Sequence, residues 1–314
     1  MKKFLLLSLF LSALYVRAAV VPVSGTETIA DAVSSAVVGD IIELSEAVTY
    51  VGIVTIDKSL TLRAAEGLES APIIQGKLSI KDGATIRGIV FDGASEVVDA
   101  IRIDDTVTGA PVVISGCTVR NYTNRFVYVS LSGKIESLTI DDCIFIGADN
   151  STTNKAIYAS SAHTQVETLS VTNSTFLNFN TGSNYFFRIN CGEELVLMPV
   201  VLIDHCTFYN CYDRRGVYLY NAGRSTIKNC ISAFSERRDD TKSFTAYGDE
   251  SIVKNVISYN VDLYGSAPKE NIISKNPLFV DAENGNFQLY KDSPAVGAGD
   301  DGSDLGDPRW GCLL

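Results

Sequence analysis

Five short segments of the chain combine aromatic and basic side chains with the pattern of a β-strand. They read RFVYVS (125–130), KAIYAS (155–160), YFFRIN (185–190), RGVYLY (215–220) and KSFTAY (242–247). The first four begin 30 residues apart, and the fifth begins 27 residues later. Tyrosine offers a flat face to a sugar ring, and arginine and lysine donate hydrogen bonds to carboxylates or sulfates. These residue types therefore predict a surface that binds an acidic polysaccharide.

Alternation along a strand predicts which of these side chains point outward. Inward positions would be Val127, Ile157, Phe187 and Val217. One outward column would then contain Tyr128, Tyr158, Arg188 and Tyr218. A second outward column, at the starts of the strands, would contain Arg125, Lys155, Tyr185, Arg215 and Lys242. The alternative is that tyrosine and arginine simply suit the exposed face of a parallel sheet. The sequence does not decide between these two interpretations.

A second repeated phrase shows which elements must position the columns. Its copies include VISGCTVRN (113–121), TIDDCIFIG (139–147) and LIDHCTFYN (202–210), and their shared anchor positions are Ile89, Cys117, Cys143, Ser174, Cys206, Cys230 and Val256. The anchors recur every 24–32 residues, and each copy holds two short alternating runs around a polar corner. Such a period predicts a solenoid, and runs this short exclude paired helices. We expect an all-β fold, a right-handed parallel β-helix.

The anchor cysteines raise three interpretations. Most directly, Cys117, Cys143, Cys206 and Cys230 stack inward as small core residues, beside inward Ile114, Ile140, Val171, Ile203, Ile227 and Val253 and inward Val119, Phe145, Phe176 and Phe208. A disulfide between stacked neighbours and a metal site are the alternatives. Of the two histidines, His205 occupies a corner that other copies fill with Asn, Asp or Gly. Neither His163 nor His205 has a recognisable nucleophile motif, so a Ser/His/Asp site is not expected.

The ends and the composition indicate an exported protein. Residues 1–18 combine two lysines, an apolar run and a small-residue cleavage site, which is the pattern of a signal peptide. We expect periplasmic or extracellular export, no membrane insertion and a monomer. The net charge of −11 argues against nucleic acid as a partner. Within a single domain, 19–314, we expect an N-terminal cap (19–40, with a helix over 28–38), coils (41–275) and a closing segment (276–314).

Both ends of the mature chain resemble a known group of proteins. The resemblance rests on Gly39-Asp40, Tyr50 and Lys58 to Arg63 near the start, and on Asn276-Pro277, Phe287, Leu289, Ser293-Pro294-Ala295 and Gly306 to Trp310 near the end. In these pieces the chain resembles secreted pectate-lyase-like β-helix proteins, including uncharacterised ones of gut Bacteroidetes. It is distantly similar to chondroitinase-B and alginate lyases.

That resemblance implies a chemistry to test, the β-elimination of a uronic-acid polysaccharide. The reaction needs a cation for the carboxylate, a base for the C5 proton and an acid for the leaving oxygen. Arg188 or Arg215 would neutralise the carboxylate, and Lys155 or Tyr218 would move protons. The remaining substrate-binding residues would be Arg125, Tyr128, Tyr158, Tyr185 and Lys242. The alternative is a glycan-binding or structural β-helix without catalysis.

No cofactor is firmly predicted. Calcium assists some of the resembling lyases, and the carboxylates of Asp300, Asp301, Asp304 and Asp307 suit its preference for oxygen ligands. A solvated turn explains the same residues. The chain also lacks a run that matches the calcium-ligand and catalytic Lys/Arg segment of the chondroitinase-B group.

Overall fold

The computed structural model describes residues 18–104, 106–107, 110–130, 134–147, 154–161, 165–179, 185–191, 199–211, 214–220 and 222–313. Within them the chain winds into a right-handed parallel β-helix, as the repeat predicts. Strands pair in parallel with their equivalents one coil before and one coil after. No helix in the described part is long and apolar enough to cross a membrane.

The described part of the chain consists mainly of short β-strands. One α-helix, α1, spans Ile29–Ser35, and two 3₁₀ turns span Ala282–Asn284 and Pro308–Trp310. The strands of the first half are β1 (Val20–Val23), β2 (Ile41–Leu44), β3 (Thr49–Ile56), β4 (Leu60–Ala64), β5 (Ile73–Ile80), β6 (Ala84–Arg87), β7 (Val90–Asp92), β8 (Asp99–Ile103), β9 (Thr106–Val107), β10 (Val112–Ser115), β11 (Thr118–Arg120), β12 (Arg125–Val129), β13 (Lys134–Asp141) and β14 (Ile144–Ile146). Those of the second half are β15 (Lys155–Ser161), β16 (Gln165–Thr172), β17 (Thr175–Leu177), β18 (Phe187–Cys191), β19 (Val200–Asp204), β20 (Thr207–Tyr209), β21 (Val217–Leu219), β22 (Arg224–Ala233), β23 (Lys242–Ala246), β24 (Ile252–Tyr259), β25 (Asp262–Tyr264), β26 (Lys269–Ile273), β27 (Phe279–Asp281) and β28 (Asn286–Leu289).

Stacking of the coils produces three lateral sheets. The first runs through β2, β4, β6, β10, β13, β16, β19, β22, β24 and β26. The second runs through β7, β11, β14, β17, β20 and the end of β22. The third, which we call the ladder sheet, runs through β3, β5, β8, β12, β15, β18, β21, β23 and β25. The five aromatic and basic segments all belong to this third sheet.

The core consists of the inward columns that the repeat predicts. Ile114, Ile140, Val171 and Ile203 are in register on the first sheet and fully buried. On the second sheet the rings of Phe145, Phe176 and Phe208 stack with centroids 4.9 Å apart, which is the arrangement that a 4.8 Å coil spacing imposes. Burial of the aliphatic and aromatic columns together supplies the main driving force for folding.

The anchor cysteines lie in the same core. Cys117, Cys143, Cys206 and Cys230 are at most 1% exposed and carry free thiols, which confirms the interpretation as core residues. Cys211 is also a buried free thiol, Cys312 is partly exposed, and the side chain of Cys191 lies outside the described residues.

The polar corners of the coils have left-handed backbone. Their φ values are positive at Gly88, Gly116, Asp142, Asn173, His205, Asn229 and Asn255. Glycine, asparagine and aspartate tolerate this conformation better than other residues, which explains the composition of the corners. His205 therefore fills a position at which the backbone alone would favour asparagine.

The helix α1 begins where the sequence predicts and ends three residues earlier. Thr28 is its N-cap, since its hydroxyl accepts a hydrogen bond from the Asp31 N–H. The residue after Ser35 is extended, so the chain leaves the helix before Val37 and Val38. The buried residues Ile29, Ala32 and Val33 cover the first coils.

The closing segment folds back along the outside of the second sheet. Phe287, Leu289, Ala295 and Leu305 pack against outward-facing Tyr209, Ile231, Ala233 and Ile257 to form a second, external core. At its end the carboxylate of Asp307 accepts a hydrogen bond of 2.6 Å from Thr175 Oγ1. The segment is therefore fixed to coils more than 100 residues earlier in the chain.

Candidate functional site: a ladder of tyrosines and cations

The first predicted outward column exists on the ladder sheet. Tyr128 is in register with Tyr158, Tyr158 with Arg188, and Arg188 with Tyr218. The alternating residues Val127, Ile157, Phe187 and Val217 are in register with one another and fully buried. The predicted strand alternation is therefore confirmed over four coils.

Tyr185 departs from its predicted place in the second column. It precedes β18, and its ring turns into the first column, where its centroid lies 6.1 Å from Tyr158 and 6.0 Å from Tyr218. The backbone register alone would place Arg188 between those two rings. The rings of Tyr128, Tyr158, Tyr185, Tyr218 and Tyr220 thus form one continuous row with centroids 5.7–6.1 Å apart, which we call the tyrosine ladder. The Tyr128 and Tyr158 rings are tilted by 44°, the other neighbours are stacked, and Tyr218 and Tyr220 lie on the same coil.

The ring faces of the ladder are closed by their neighbours. Tyr128 is 4% exposed and Tyr218 is 6% exposed, although both lie on the outside of the coil. Since the ring centroids of neighbouring coils lie only 6.0–6.1 Å apart, a sugar ring cannot slide between them. The expectation that flat ring faces would contact sugar is wrong for these two residues. A ligand would meet ring edges, hydroxyls and the cations that cover the rings.

Five cationic side chains lie over the ladder. The Arg125 guanidinium is 3.6 Å from the centre of the Tyr128 ring, Arg188 is 4.4 Å from that of Tyr185, and Arg215 is 4.8 Å from that of Tyr218. Arg102 and the Lys155 ammonium approach the Tyr128 and Tyr158 rings at 5.4 and 5.8 Å. Cation–π contacts of this kind are worth about 0.5–1 kcal/mol each at exposed sites, so they hold the cations in place.

At both ends of the ladder the predicted cations have acidic partners within the fold. Arg125 donates two hydrogen bonds, of 2.7 and 2.9 Å, to the buried carboxylate of Asp99, its register neighbour one coil earlier. Lys242 lies 3.5 Å from Asp262, its register neighbour one coil later. Neither acid was predicted from the sequence, although both lie where the second column continues by one coil in each direction.

The cations at the centre of the ladder differ from those at its ends in their acidic partners. Neither Arg188 nor Arg215 lies within ion-pair distance of a carboxylate among the described residues. Arg188 donates to the Tyr185 hydroxyl, while its Nε–H is buried and has no hydrogen-bond partner in the described part of the chain. Arg215 is exposed. Two neighbouring guanidinium groups without acids are what a ligand carboxylate or sulfate requires.

The surroundings of Tyr185 shift the pKa of its hydroxyl. Burial raises the pKa of its hydroxyl above the ordinary value of 10.0, against the opposing effect of the Arg188 charge. Tyr185 is therefore a proton donor at neutral pH and a poor base. The proton-transfer roles of Lys155 and Tyr218 stay predictions.

The four aspartates of the closing segment do not converge on one point. Asp300 contacts Lys228 and Lys254, Asp301 accepts from Ser303, and Asp304 accepts from the backbone N–H groups of Gly297 and Cys312. Asp307 contacts Thr175 and Arg309. The described residues contain no group of three or more His, Cys, Asp or Glu side chains arranged to hold a metal ion.

Three cavities of the described part of the chain lie away from the ladder. One of about 320 Å³ lies between α1 and β3, lined by Glu27, Tyr50 and Val51 among others, with no basic residue. Two of about 240 and 320 Å³ flank Tyr209 and Glu283 under the closing segment. A polymer binds along an open surface, so we base the site on the charges of the ladder rather than on cavity volume.

The fold and the ladder together define a parallel β-helix with an external row of tyrosines and cations. Residues 46–179 match a family model described as "Domain of unknown function (DUF4957)", and residues 201–310 match one described as "Domain of unknown function (DUF5123)". No curated protein matches the chain.

Among solved structures, a mutant of the PL6-family alginate lyase AlyGC is similar, with a TM-score of 0.47 and 16% sequence identity. The match covers 83% of this chain and 38% of the lyase chain. The chain thus spans less than half the length of that enzyme, and the match says nothing about its own activity.

Proposed function

We propose that this protein is exported and binds an acidic polysaccharide lengthwise along the tyrosine ladder. Arg188 and Arg215 would contact the carboxylates or sulfates of the glycan. The observation that carries the proposal is the contrast in pairing: the cations at the ends of the ladder have acids, and the two at its centre have none among the described residues.

The charge of the whole chain strengthens this contrast. At a net charge of −11, acidic side chains outnumber basic ones and could have neutralised every exposed arginine. Two guanidinium groups without an acidic partner among the described residues would therefore create a local field opposite to the global one. Such a patch attracts an anionic ligand while the rest of the surface repels it.

The repeat geometry favours a polymer over a small ligand. Equivalent side chains recur at each coil, about 4.8 Å apart along the axis. Hydroxyls of Tyr158 and Tyr185, both half-buried, add polar contacts beside the two arginines. An extended chain of sugars could contact several coils at once, and each contact would add to its affinity.

A second candidate, β-elimination of a uronate polymer, is favoured by one observation. The Tyr185 hydroxyl accepts a hydrogen bond from Arg188 and stays protonated at neutral pH. An acid that can protonate the leaving oxygen therefore stands beside a cation that can bind the carboxylate. Lys155 and Tyr218 are the proposed proton acceptors.

The test uses pectate, alginate, chondroitin sulfate and heparin, with and without calcium. We expect wild-type protein to bind at least one of them, with an affinity that falls as salt increases. Arg188→Gln and Arg215→Gln should each weaken that binding about tenfold, since a charge-assisted hydrogen bond contributes about 1.5–3 kcal/mol. Arg224→Gln is the matched control, because Arg224 is exposed, paired with Glu250 and on another sheet.

Ultraviolet absorbance of the unsaturated uronate product separates the two candidates. Product formation that disappears in Arg188→Gln would establish a lyase. Binding without product would leave glycan binding alone. No binding to any of the four glycans, or equal loss in Arg188→Gln and Arg224→Gln, would contradict the proposal.

A further inference from the structure

A histidine lies where the coils meet the closing segment, and both of its ring nitrogens have polar partners. His205 Nδ1 lies 2.9 Å from Asp204 Oδ1, and His205 Nε2 lies 2.8 Å from Ser303 Oγ. The fold brings His205 and Ser303 together across 98 residues of sequence. Carboxylate, imidazole and serine hydroxyl in this order are the groups of a hydrolytic triad, which is recognised by geometry rather than by sequence position.

We propose that Asp204, His205 and Ser303 form a second site that hydrolyses uncharged acyl esters, with Ser303 as the nucleophile. The site lies at the corner after the first sheet and not on the ladder sheet. It is therefore independent of glycan binding by Arg188 and Arg215.

The fold holds the first two groups firmly. His205 occupies a left-handed corner with φ of 50°, and its side chain is 13% exposed. Asp204 also accepts a 2.9 Å hydrogen bond from Asn229 Nδ2 and lies 3.3 Å from Lys228. Although burial opposes it, the hydrogen bond from His205 holds the pKa of Asp204 below its ordinary value. Asp204 is thus an ionised group that orients the imidazole, as the third member of a triad must be.

Ser303 has the accessibility that a nucleophile needs. It is exposed and follows Gly302, whose φ of 82° makes a tight turn. The backbone N–H of the next residue, Asp304, donates to no group among the described residues. An N–H directly after the nucleophile is a common donor to the oxyanion of acyl transfer.

The protonation of His205 decides when the site is active. Its hydrogen bond with Asp204 raises the pKa of His205 above the ordinary 6.5, and the charge of Asp301 adds to this while that of Lys228 opposes it. Ser303 meanwhile donates to Asp301 Oδ1 at 2.6 Å. Once His205 is neutral, Nε2 can accept a hydrogen bond, and the Ser303 hydroxyl can turn to it from Asp301. The reaction should therefore grow as pH rises above 6.5.

The chemistry balances without a cofactor. Ser303 Oγ forms a bond to the acyl carbon while His205 Nε2 takes its proton, and the ester C–O bond then breaks as His205 protonates the leaving alcohol. Water next attacks the acyl-serine and gives its proton to His205, which returns it to Ser303 as the carboxylic acid leaves. The three acids near the site, Asp204, Asp300 and Asp301, outnumber Lys228 and Lys254, the lysines that pair with the first two. An anionic acyl group is therefore disfavoured, and an acetyl-type ester fits.

A fluorophosphonate probe, which reacts with activated serines, tests the proposal on the whole protein. Peptide mapping should find the probe on Ser303, with labelling that increases above pH 6.5. His205→Asn should lower that labelling about 100-fold, the size of a general-base contribution. Asparagine is the natural replacement because Asn173, Asn229 and Asn255 hold the same backbone at equivalent corners. Ser266→Ala, which removes an exposed serine elsewhere, should leave the labelling unchanged.

Hydrolysis of 4-nitrophenyl acetate should follow the same pattern in the same variants. Ser303 that stays unlabelled at every pH would overturn the proposal, even if His205→Asn failed to fold. Equal labelling in wild type and folded His205→Asn would also overturn it, because Ser303 would then not depend on the histidine.

Discussion

Charged side chains cluster in two regions on the outside of the coils, and the two regions differ in whether the basic groups have acidic partners. Under the closing segment each basic group meets an acid: Lys228 and Lys254 lie 3.2 and 2.9 Å from Asp300, and Arg309 lies 3.0 Å from Asp307. At the centre of the tyrosine ladder Arg188 and Arg215 meet none among the described residues. The first arrangement fixes the closing segment to the coils. The second is the arrangement on which the proposed ligand binding rests.

The largest loss of stability should follow from removing the buried carboxylate of Asp307, which holds the closing segment against the coils. Asp307 is 3% exposed, and Asp307→Ala removes the acceptor of Thr175, of the Arg309 N–H and of the Arg309 guanidinium. We expect the free energy of unfolding to fall by about 3 kcal/mol in denaturant titrations, since a buried pair loses one partner. Asp249→Ala, at an exposed aspartate, should change it by less than about 0.5 kcal/mol. Equal losses in both variants would contradict the role of Asp307.

A smaller effect should separate the end of the ladder from its centre. Arg125→Gln leaves the buried carboxylate of Asp99 without its bidentate partner, so we expect a loss of about 2 kcal/mol in unfolding free energy. Arg188→Gln strands no carboxylate among the described residues. It gives up two cation–π contacts and one hydrogen bond, to which glutamine can still contribute a donor, so its cost should stay at about 1 kcal/mol. The same denaturant titrations compare the two. A larger loss for Arg188→Gln would show that Arg188 serves stability rather than binding.

The coils and their outward columns could be predicted from the sequence because the repeated segments show which residues pair between neighbouring coils. Aligning Cys117, Cys143 and Cys206 aligns the core phrase around each anchor, so the inward phenylalanines follow from alternation. The outward tyrosines needed a separate alignment of the five aromatic and basic segments, which begin 8–12 residues after their anchors. The polar corners could be recognised too, since Asn173 and Asn229 occupy positions that glycine fills elsewhere, but their left-handed backbone was not predicted.

Two features of the structure could not be predicted from the repeat. One is the position of a side chain that lies outside its strand, and the other is a contact with a segment that does not repeat. Tyr185 precedes its strand, and nothing in the alternation says that its ring would enter the column of Tyr158 and Tyr218. The meeting of His205 with Ser303 depends on how the closing segment folds back, and this segment has no repeat. The sequence interpretation of His205 as a corner residue was correct but incomplete.

The smallest effect on stability should come from the titration of His205, which lies where the closing segment meets the coils. The folded pKa of His205 is raised, so its contribution is fully present below pH 6.5 and is lost as pH rises through the folded pKa. We expect the wild-type free energy of unfolding to fall by less than about 1 kcal/mol over that window, the range of a partly exposed ion pair. His205→Asn should not show this fall. A fall of the same size in His205→Asn would assign it to another group.

The central claim, that the ladder binds through cations without acids, has one direct measurement. It compares the affinity of the double variant Arg188→Gln/Arg215→Gln for the bound glycan with that of Arg120→Gln/Arg224→Gln, which removes the same charge at arginines paired with Asp92 and Glu250 on the other two sheets. Two lost charge-assisted contacts should weaken binding of the first variant about 100-fold. The second variant should bind as wild type does. Equal affinities in the two double variants would show that overall charge, and not the centre of the ladder, controls binding.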